Sequence, residues 1–98
     1  MRLVYHPHAR AELVEAATYY ESHVPGLGAQ FHEEANRTAS KILEAPRRWR
    51  LIDVDVRRAL IVRFPFAVYY RVFPEHVQIL AVKHHKRHPD YWHHRLNE

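Results

Sequence analysis

Residues 56–84 read VRRALIVRFPFAVYYRVFPEHVQILAVKH, and this stretch decides the fold. Apolar side chains alternate with polar or small ones through three segments, at 56–64, 66–73 and 77–84. A period of two is typical of β-strands, and consecutive strands joined by short turns form an antiparallel meander. The stretch therefore predicts three neighbouring antiparallel strands.

The alternation also assigns the side chains of the meander to two faces. A sheet of this size leaves too much apolar surface in water unless another layer covers one face. We predict that the covered face carries Leu60, Val62, Val68, Tyr70, Val72, Leu80 and Val82. The open face is then left with Arg57, Arg63, Tyr69, Arg71 and Lys83.

Upstream of the meander, the hydrophobic period lengthens to that of a helix. Arg2 to Tyr5 is typical of a short strand, and Pro7 suits the first turn of a helix. Two apolar stripes follow at helical spacing: Ala9, Leu13, Ala17, Tyr20 and Val24, then Leu27, Phe31, Ala35, Thr38, Ala39 and Ile42. The link PGLG at 25–28 is short enough to predict an antiparallel helical hairpin. We therefore predict a single α+β domain over residues 1–98, with an N-terminal strand and the hairpin packed on a twisted antiparallel β-sheet.

The composition is that of a small protein with one basic half. The 98 residues are 47% hydrophobic, enough for one modest core, and contain no cysteine, which excludes disulfides and thiolate chemistry. Residues 1–49 carry six Lys and Arg and six Asp and Glu, whereas residues 50–98 carry nine and five. The second half therefore accounts for the net charge of +4. A one-sided basic surface attracts acidic partners.

The distribution of apolar residues also bears on where the protein works. No apolar run approaches the ~20 residues that a membrane-spanning helix needs. The chain enters its first strand-like run at Arg2 without a hydrophobic signal-peptide region. The lack of cysteine suits a reducing compartment. We expect a cytoplasmic protein with no membrane partner.

The segment KRHPDYWHHR, at residues 86–95, is rich in groups that bind anions or transfer protons. Histidine has an unperturbed pKa of about 6.5, which suits acid–base catalysis near neutral pH. Five histidines lie from His84 to His94, but Pro89 interrupts any helical spacing, and we expect no metal and no cofactor. Tyr91 and Trp92 carry amphipathic rings, which we expect to pin this tail to the domain.

The order of strand, helical hairpin, meander and basic tail resembles the RelE/ParE superfamily of toxins from type II toxin–antitoxin systems. The resemblance covers nearly the whole chain. Its most specific parts are VRR at 56–58, FPFAVYYRV at 64–72, ILAVKH at 79–84 and RHPDYW at 87–92. Their combination is more similar to the ParE branch than to the RelE branch.

The ParE-like resemblance implies a growth-inhibiting toxin that acts on DNA gyrase. It also implies a small cognate antitoxin, with an acidic C-terminal segment, that silences the toxin in a hetero-oligomeric complex. Arginine favours two-pronged recognition of carboxylates. We therefore expect Arg57, Arg63, Tyr69, Arg71 and Lys83 to contact the antitoxin or the target.

Two alternatives remain open at this point, so enzymatic activity is undecided. A RelE-like protein would be a metal-independent, ribosome-dependent mRNA endoribonuclease. Its acid–base and phosphate-binding groups would be His84, His85, Arg87, Tyr91 and Arg58. The other alternative is a module that binds an antitoxin and poisons nothing.

An alignment by eye weakens the nuclease alternative. It places Arg58 on the first basic position of the RelE-like site, but Leu60 on the second and Ala67 on the arginine that opens the central strand. His85 falls on an arginine and Tyr91 on the tyrosine. Two cationic positions are thus apolar, which leaves less charge to stabilise a phosphorane-like transition state.

Overall fold

A five-stranded mixed sheet carries the helical hairpin. The structure is a computed structural model that describes residues 1–97. Its elements, in chain order, are β1 (Arg2–Tyr5), α1 (Pro7–His23), α2 (Leu27–Glu44), β2 (Arg50–Leu51), β3 (Val56–Leu60), β4 (Phe66–Val72), β5 (His76–His84) and a short 3₁₀ helix (His93–Asn97). The predicted α+β architecture is confirmed.

The sheet order is β1-β5-β4-β3-β2. The predicted meander is present, because β3 pairs antiparallel with β4 and β4 antiparallel with β5. The N-terminal strand, however, runs parallel to β5, with Leu3 opposite Val77. The sheet is therefore mixed. The helical hairpin connects β1, at one edge of the sheet, to β2, at the opposite edge, where the meander begins.

The two helices come close together at Gly28. Gly26 starts α2 with φ +87°, a backbone region that favours glycine. The Glu21 carboxylate accepts hydrogen bonds from the backbone N–H groups of Gly26 and Gly28, at 2.9 and 3.0 Å. A Cβ at position 28 would lie 2.5 Å from the carbonyl oxygen of Ala17. The PGLG link therefore both turns the chain and permits the helix contact.

The main core lies between the hairpin and one face of the sheet. Phe31, Tyr20, Phe64 and Phe66 form an aromatic cluster there, with ring centroids 5.0 to 6.2 Å apart. Such pairs contribute beyond the area that they bury. The core continues along the sheet through Val68, Tyr70, Val72, Val77, Ile79 and Val82. The predicted inward positions of Val68, Tyr70, Val72 and Val82 are correct.

Three of the predicted inward positions are wrong. Leu60 and Val62 are exposed, and the side chains that enter the core here are those of Ala59, in β3, and Ile61, just after β3. Ala59 lies opposite Val68 in the β3–β4 register, and this pairing sets the parity of the strand. Leu80 is fully buried but on the other face of the sheet, because the β4–β5 pairing shifts register after Tyr69.

Within residues 1–97, neither helix combines the length and the apolar character that crossing a bilayer would require.

Candidate functional site: the C-terminal tail and the sheet face beneath it

The second face of the sheet is covered by the C-terminal tail, residues 85–97. Trp92 is 1% exposed and packs against Tyr69, with the ring centroids 5.4 Å apart. A second cluster forms around this pair from Val56, Ala67, Leu80 and Ala81. The expectation that Trp92 pins the tail is therefore confirmed. The predicted open face is largely closed, and Tyr69 and Lys83, each 5% exposed, lie beneath the tail.

The arginines predicted for that face are divided between the two sides of the sheet. Arg57 lies opposite Tyr70, on the hairpin side, and donates hydrogen bonds to the carbonyl oxygens of Arg47 and Trp49. Arg63 lies in the turn after β3 and donates to the side chain of Gln30 in α2, at 3.0 Å. Their placement on the open face was wrong, because β3 has the opposite parity and ends at Leu60.

Arg71 does lie on the tail side of the sheet. Its guanidinium group pairs with the Asp55 carboxylate at 3.0 Å and reaches the carbonyl oxygen of Leu96. The charge of Arg71 is thus partly used in holding the start of β3 and the end of the tail. The structure does not bring Arg57, Arg63 and Arg71 together in one patch.

Glu12, in α1, is the residue that holds the tail, and the sequence analysis did not single it out. Its carboxylate accepts two hydrogen bonds from Arg95, at 2.9 and 3.1 Å, and one from the Tyr91 hydroxyl at 2.5 Å. It also accepts the backbone N–H of Val82 at 3.1 Å, while Arg95 donates to the carbonyl oxygen of Leu80 at 2.8 Å. The Glu12–Arg95 pair therefore completes the hydrogen bonding of β5 beyond the point where β1 ends.

This anchoring determines what Tyr91 can do. Burial, then the hydrogen bond to Glu12 and its negative charge, raise the pKa of the Tyr91 hydroxyl well above its usual value of 10.0. The guanidinium group of Arg87 covers the ring face, 4.0 Å from its centroid. A hydroxyl that already donates to a carboxylate is poorly placed to give its proton to a leaving group. Tyr91 is a structural residue in this conformation.

The remaining nuclease candidates lie around the end of β5. His84 turns toward the hairpin side, with its ring 5.0 Å from that of Phe66, and its Nδ1 accepts the backbone N–H of Lys86. His85 is exposed on the tail. Partial desolvation of the ring, and then the charges of His84, Lys83 and Arg58, lower the pKa of His85. The rings of His84 and His85 lie 6.5 Å apart, but His84 packs on Phe66 and the Tyr91 hydroxyl is directed to Glu12.

A cleft of about 430 Å³ opens on the hairpin side, between α1 and the ends of β4 and β5. Its lining is mostly apolar and carries a polar rim; the lining residues are Glu12, Glu15, Ala16, Tyr19, Tyr20, Phe66, Val82, His84 and Arg87. Apolar clefts with a few polar groups are the usual sites for small ligands and for partner helices. This cleft lies directly behind the tail anchor.

No group of three or more His, Asp or Glu side chains is arranged to hold a metal ion anywhere in residues 1–97. The histidines of the tail are instead spread around it and make separate contacts. His88 accepts the backbone N–H of Asp90, for example, and His93 lies near Asp53 and Asp90, at 3.3 and 3.4 Å.

Comparison with known proteins decides the family. The family model described as the ParE toxin of the type II toxin–antitoxin system parDE matches residues 3–89. The chain belongs to the ParE toxin family. The matched segment contains both helices, all of the sheet except Arg2, and the first part of the tail. The predicted superfamily and branch are confirmed.

A solved structure agrees with this ParE fold. The chromosomal ParDE system of P. aeruginosa contains a chain that superposes with a TM-score of 0.75 at 19% sequence identity, over 86% of this chain and 95% of that chain. At this identity the likeness concerns the fold. None of the curated proteins matches the chain. In this ParE toxin, the tail anchor lies partly beyond the matched segment, because Tyr91 and Arg95 follow residue 89.

The sequence contained a weak signal for the anchor that was not used. Glu12 stands between Ala9 and Leu13, which are both buried, so its carboxylate lies next to the apolar stripe of α1. A carboxylate at such a position needs a partner. The basic tail offered candidates, but the sequence does not say which of them folds back onto α1.

Proposed function

We propose that this ParE-family chain is a cytoplasmic toxin that inhibits DNA gyrase and that a cognate antitoxin holds it inactive in a hetero-oligomeric complex. The observation that carries the proposal is the ParE family match over residues 3–89. The neighbouring structure supports a toxin–antitoxin context, since it is itself a ParDE system. Fold alone does not assign a target, so the site must be considered separately.

The geometry of the tail favours gyrase over mRNA cleavage. A metal-independent ribonuclease needs an acid, a base and concentrated positive charge at one place. Here Leu60 and Ala67 occupy two positions where RelE-like proteins carry cations, and the Tyr91 hydroxyl is bonded to Glu12. His85 and Arg58 remain as possible catalytic groups, but the neighbouring His84 packs on Phe66 and its Nδ1 already accepts the backbone N–H of Lys86. We therefore propose that the protein is a binding inhibitor.

The antitoxin must meet positive charge on both sides of the sheet if it contacts the predicted residues. Arg63 faces the hairpin side, whereas Arg71 and Lys83 face the tail side. β2 is only two residues long and pairs with Arg57 and Arg58 alone, so the backbone of β3 near Leu60 has no neighbouring strand on its outer side. We propose that the antitoxin segment passes around this edge of the sheet. Tyr69 and Lys83 are both buried beneath the tail, so we expect their contribution to be indirect.

The test is controlled expression of the chain in a bacterium, with growth, DNA-damage signalling and mRNA integrity followed in the same cells, together with a supercoiling assay on purified gyrase. We expect growth arrest, induction of DNA-damage signalling and intact mRNA, and inhibition of supercoiling by purified gyrase on addition of the purified chain. Ribosome-associated mRNA fragments with a codon-position bias and unaffected gyrase would instead assign the nuclease function. Normal growth, with tight binding of the protein from an adjacent small reading frame, would assign the non-toxic binding module.

A further inference from the structure

The strands β2 and β3 place two arginines side by side at the outer edge of the sheet. In the register of this antiparallel pair, Arg50 lies directly opposite Arg58. Their side chains therefore leave the same face with Cβ atoms about 5 Å apart, and like charges in this arrangement destabilise the pairing. Arg50 is exposed, Arg58 is partly exposed, and neither forms an ion pair within residues 1–97.

The acidic side chains of the neighbouring β2–β3 turn are used elsewhere. The Asp55 carboxylate pairs with the Arg71 guanidinium at 3.0 Å. The Asp53 carboxylate accepts the backbone N–H of Val54 and lies 3.3 Å from Nε2 of His93. Both carboxylates thus contact the turn itself, β4 or the tail, and the turn supplies no counterion to the arginine pair.

The loop before β2 is fixed in place by side chains of the sheet. The Arg57 guanidinium donates hydrogen bonds to the carbonyl oxygens of Arg47 and Trp49, at 2.9 and 2.7 Å. The Tyr70 hydroxyl donates to the carbonyl oxygen of Pro46 at 2.6 Å. The Trp49 ring packs against the main core. The loop therefore has a defined backbone and presents its remaining side chains at a constant place.

This loop adds two cations to the arginine pair. Arg47 and Arg48 are exposed, and among the described residues neither has an acidic partner. The Arg48 guanidinium lies over the Trp49 ring, 5.0 Å from its centre, on the hairpin side of the sheet. Arg50 and Arg58 lie on the tail side, by their register with β4. We name this surface the arginine edge: Arg47, Arg48, Arg50 and Arg58. It carries unpaired positive charge on both sides of the sheet.

We propose that the arginine edge binds the phosphate backbone of duplex DNA. Duplex DNA carries about one negative charge per 1.7 Å of its axis, whereas even an unbroken acidic run in an extended peptide carries one per about 3.4 Å. Four neighbouring cations need the higher density. Arginine binds a phosphate through two parallel N–H groups. The two strands that border a groove of the duplex also offer phosphates to both sides of the sheet edge.

A single-stranded nucleic acid fits this surface less well. Proteins that bind single strands supply aromatic rings on which the bases stack. The aromatic ring at the arginine edge is that of Trp49, which packs on the core and is covered by Arg48. The surface therefore offers charge without a stacking platform, as a duplex backbone requires. The DNA contact does not depend on gyrase being the target of the toxin.

The first test is the fluorescence anisotropy of a short labelled duplex, titrated with the purified chain from about 50 to 200 mM sodium chloride. If four phosphates are neutralised, the logarithm of the association constant should fall against the logarithm of the salt concentration with a slope of about −3 to −4. Arg50→Gln and Arg58→Gln should each reduce the magnitude of this slope by about 1. Absence of binding at the lowest salt, or a parent-like slope in both variants, would overturn the proposal.

Two further variants control for net charge and for structure. Arg2 is exposed in β1, at the opposite edge of the sheet, so Arg2→Gln should leave the slope unchanged. An equal reduction with Arg2→Gln would mean that the duplex responds to net charge alone, and the arginine edge would not be the site. Arg50→Lys keeps the charge and should keep the slope. A lysine variant that behaves like Arg50→Gln would contradict an electrostatic contact.

Competition identifies the kind of anion. Unlabelled duplex, oligothymidylate and polyglutamate are each added to the labelled complex at equal concentrations of negative charge. We expect the duplex to displace the probe first. Earlier displacement by oligothymidylate would overturn the assignment in favour of a single strand, and earlier displacement by polyglutamate would do so in favour of an acidic protein segment. The assay contains no gyrase, so the failure of the gyrase proposal is read independently of this one.

Discussion

Glu12 and Arg95, 83 positions apart in the chain, form a two-pronged ion pair that takes the place of a sheet neighbour. β1 accompanies β5 only as far as Ile79. Beyond it, the N–H of Val82 and the carbonyl of Leu80 are bonded by the carboxylate and the guanidinium of this pair. Two side chains therefore cap an edge that would otherwise be open to water or to another chain.

Replacement of Glu12 by alanine should destabilise the protein strongly. It leaves Arg95, the Tyr91 hydroxyl and the Val82 N–H without their acceptor, and an uncompensated buried charge costs about 3–5 kcal/mol. Urea denaturation measures the loss. The exposed Glu15, one turn later, provides the control, since Glu15→Ala should stay within about 0.5 kcal/mol of the parent. Equal effects of the two substitutions would show that the contacts of Glu12 with the tail do not contribute to the free energy of unfolding.

Replacement of Gly28 by alanine should also destabilise, although alanine is the better helix former by about 1 kcal/mol. The added Cβ would lie 2.5 Å from the Ala17 carbonyl oxygen and 2.9 Å from the Glu21 Cβ, so the helices must move apart. We expect a loss of about 1–3 kcal/mol by urea denaturation. Glu33→Ala, at an exposed position of α2, is the control. A stabilised Gly28→Ala variant would mean that the hairpin contact is looser than described.

Arg63 has φ +71°, the only described residue other than glycine with a positive φ in residues 1–97. Glycine and asparagine adopt this region readily, whereas a β-branched residue does so at high cost. Arg63→Gly should therefore raise the free energy of unfolding by about 0.5–1 kcal/mol. The loss of the hydrogen bond to Gln30 will offset part of this gain. Arg63→Val should destabilise, and thermal unfolding should rank the parent between the two. The reverse order would contradict the turn geometry.

Stability should fall in alkaline solution because of Tyr70. Burial raises the pKa of its hydroxyl to about 12, with Arg57 and Arg48 lowering it in part. Between pH 10 and 12 the unfolded tyrosine loses its proton while the folded one keeps it, so the free energy of unfolding decreases as the pH rises. Absorbance titration of the parent against Tyr70→Phe isolates this group. A Tyr70 signal that titrates near 10 would contradict the burial.

Single substitutions, followed by a toxicity assay, distinguish gyrase inhibition from mRNA cleavage. His85→Ala removes an exposed side chain, and Tyr91→Phe keeps the ring beneath Arg87. Both variants should still arrest growth if the target is gyrase, since neither hydroxyl nor imidazole chemistry is then required. Loss of toxicity in both, with parent-like urea midpoints, would restore the nuclease mechanism. The midpoints are needed because Tyr91→Phe also removes a hydrogen bond to Glu12.

The elements of the fold could be predicted because each has a consistent local pattern. The two helical stripes and the three meander strands appear where the periodicity placed them, to within a few residues. β1 was found, but its parallel pairing with β5 was missed, since pairing partners are not encoded in the pattern of a four-residue strand. β2 has only two residues and leaves no periodicity at all.

The faces of the strands were harder to predict than the strands. Apolar residues lie on both faces of β3 and the turn after it. The pattern therefore permits either Leu60 and Val62 or Ala59 and Ile61 in the core. Only the pairing with β4 decides between the two sets. The register shift after Tyr69 similarly moved Leu80 to the second face. Lys83 was predicted correctly to avoid the hairpin, but the tail that covers it is a long-range contact. Short-range patterns contain no information on such contacts.

The parallel strand at the N-terminus has a consequence for synthesis. β1 leaves the ribosome well before its partner β5, which begins at His76, and the helix α1 that follows β1 is tied through Glu12 to Arg95. Neither α1 nor β1 can therefore reach its native surroundings until most of the polypeptide has been translated. Throughout that interval the hairpin exposes the apolar face that the sheet later covers, and a chaperone can bind this face. Newly made molecules therefore pass through a stage in which the apolar face of the hairpin is still uncovered.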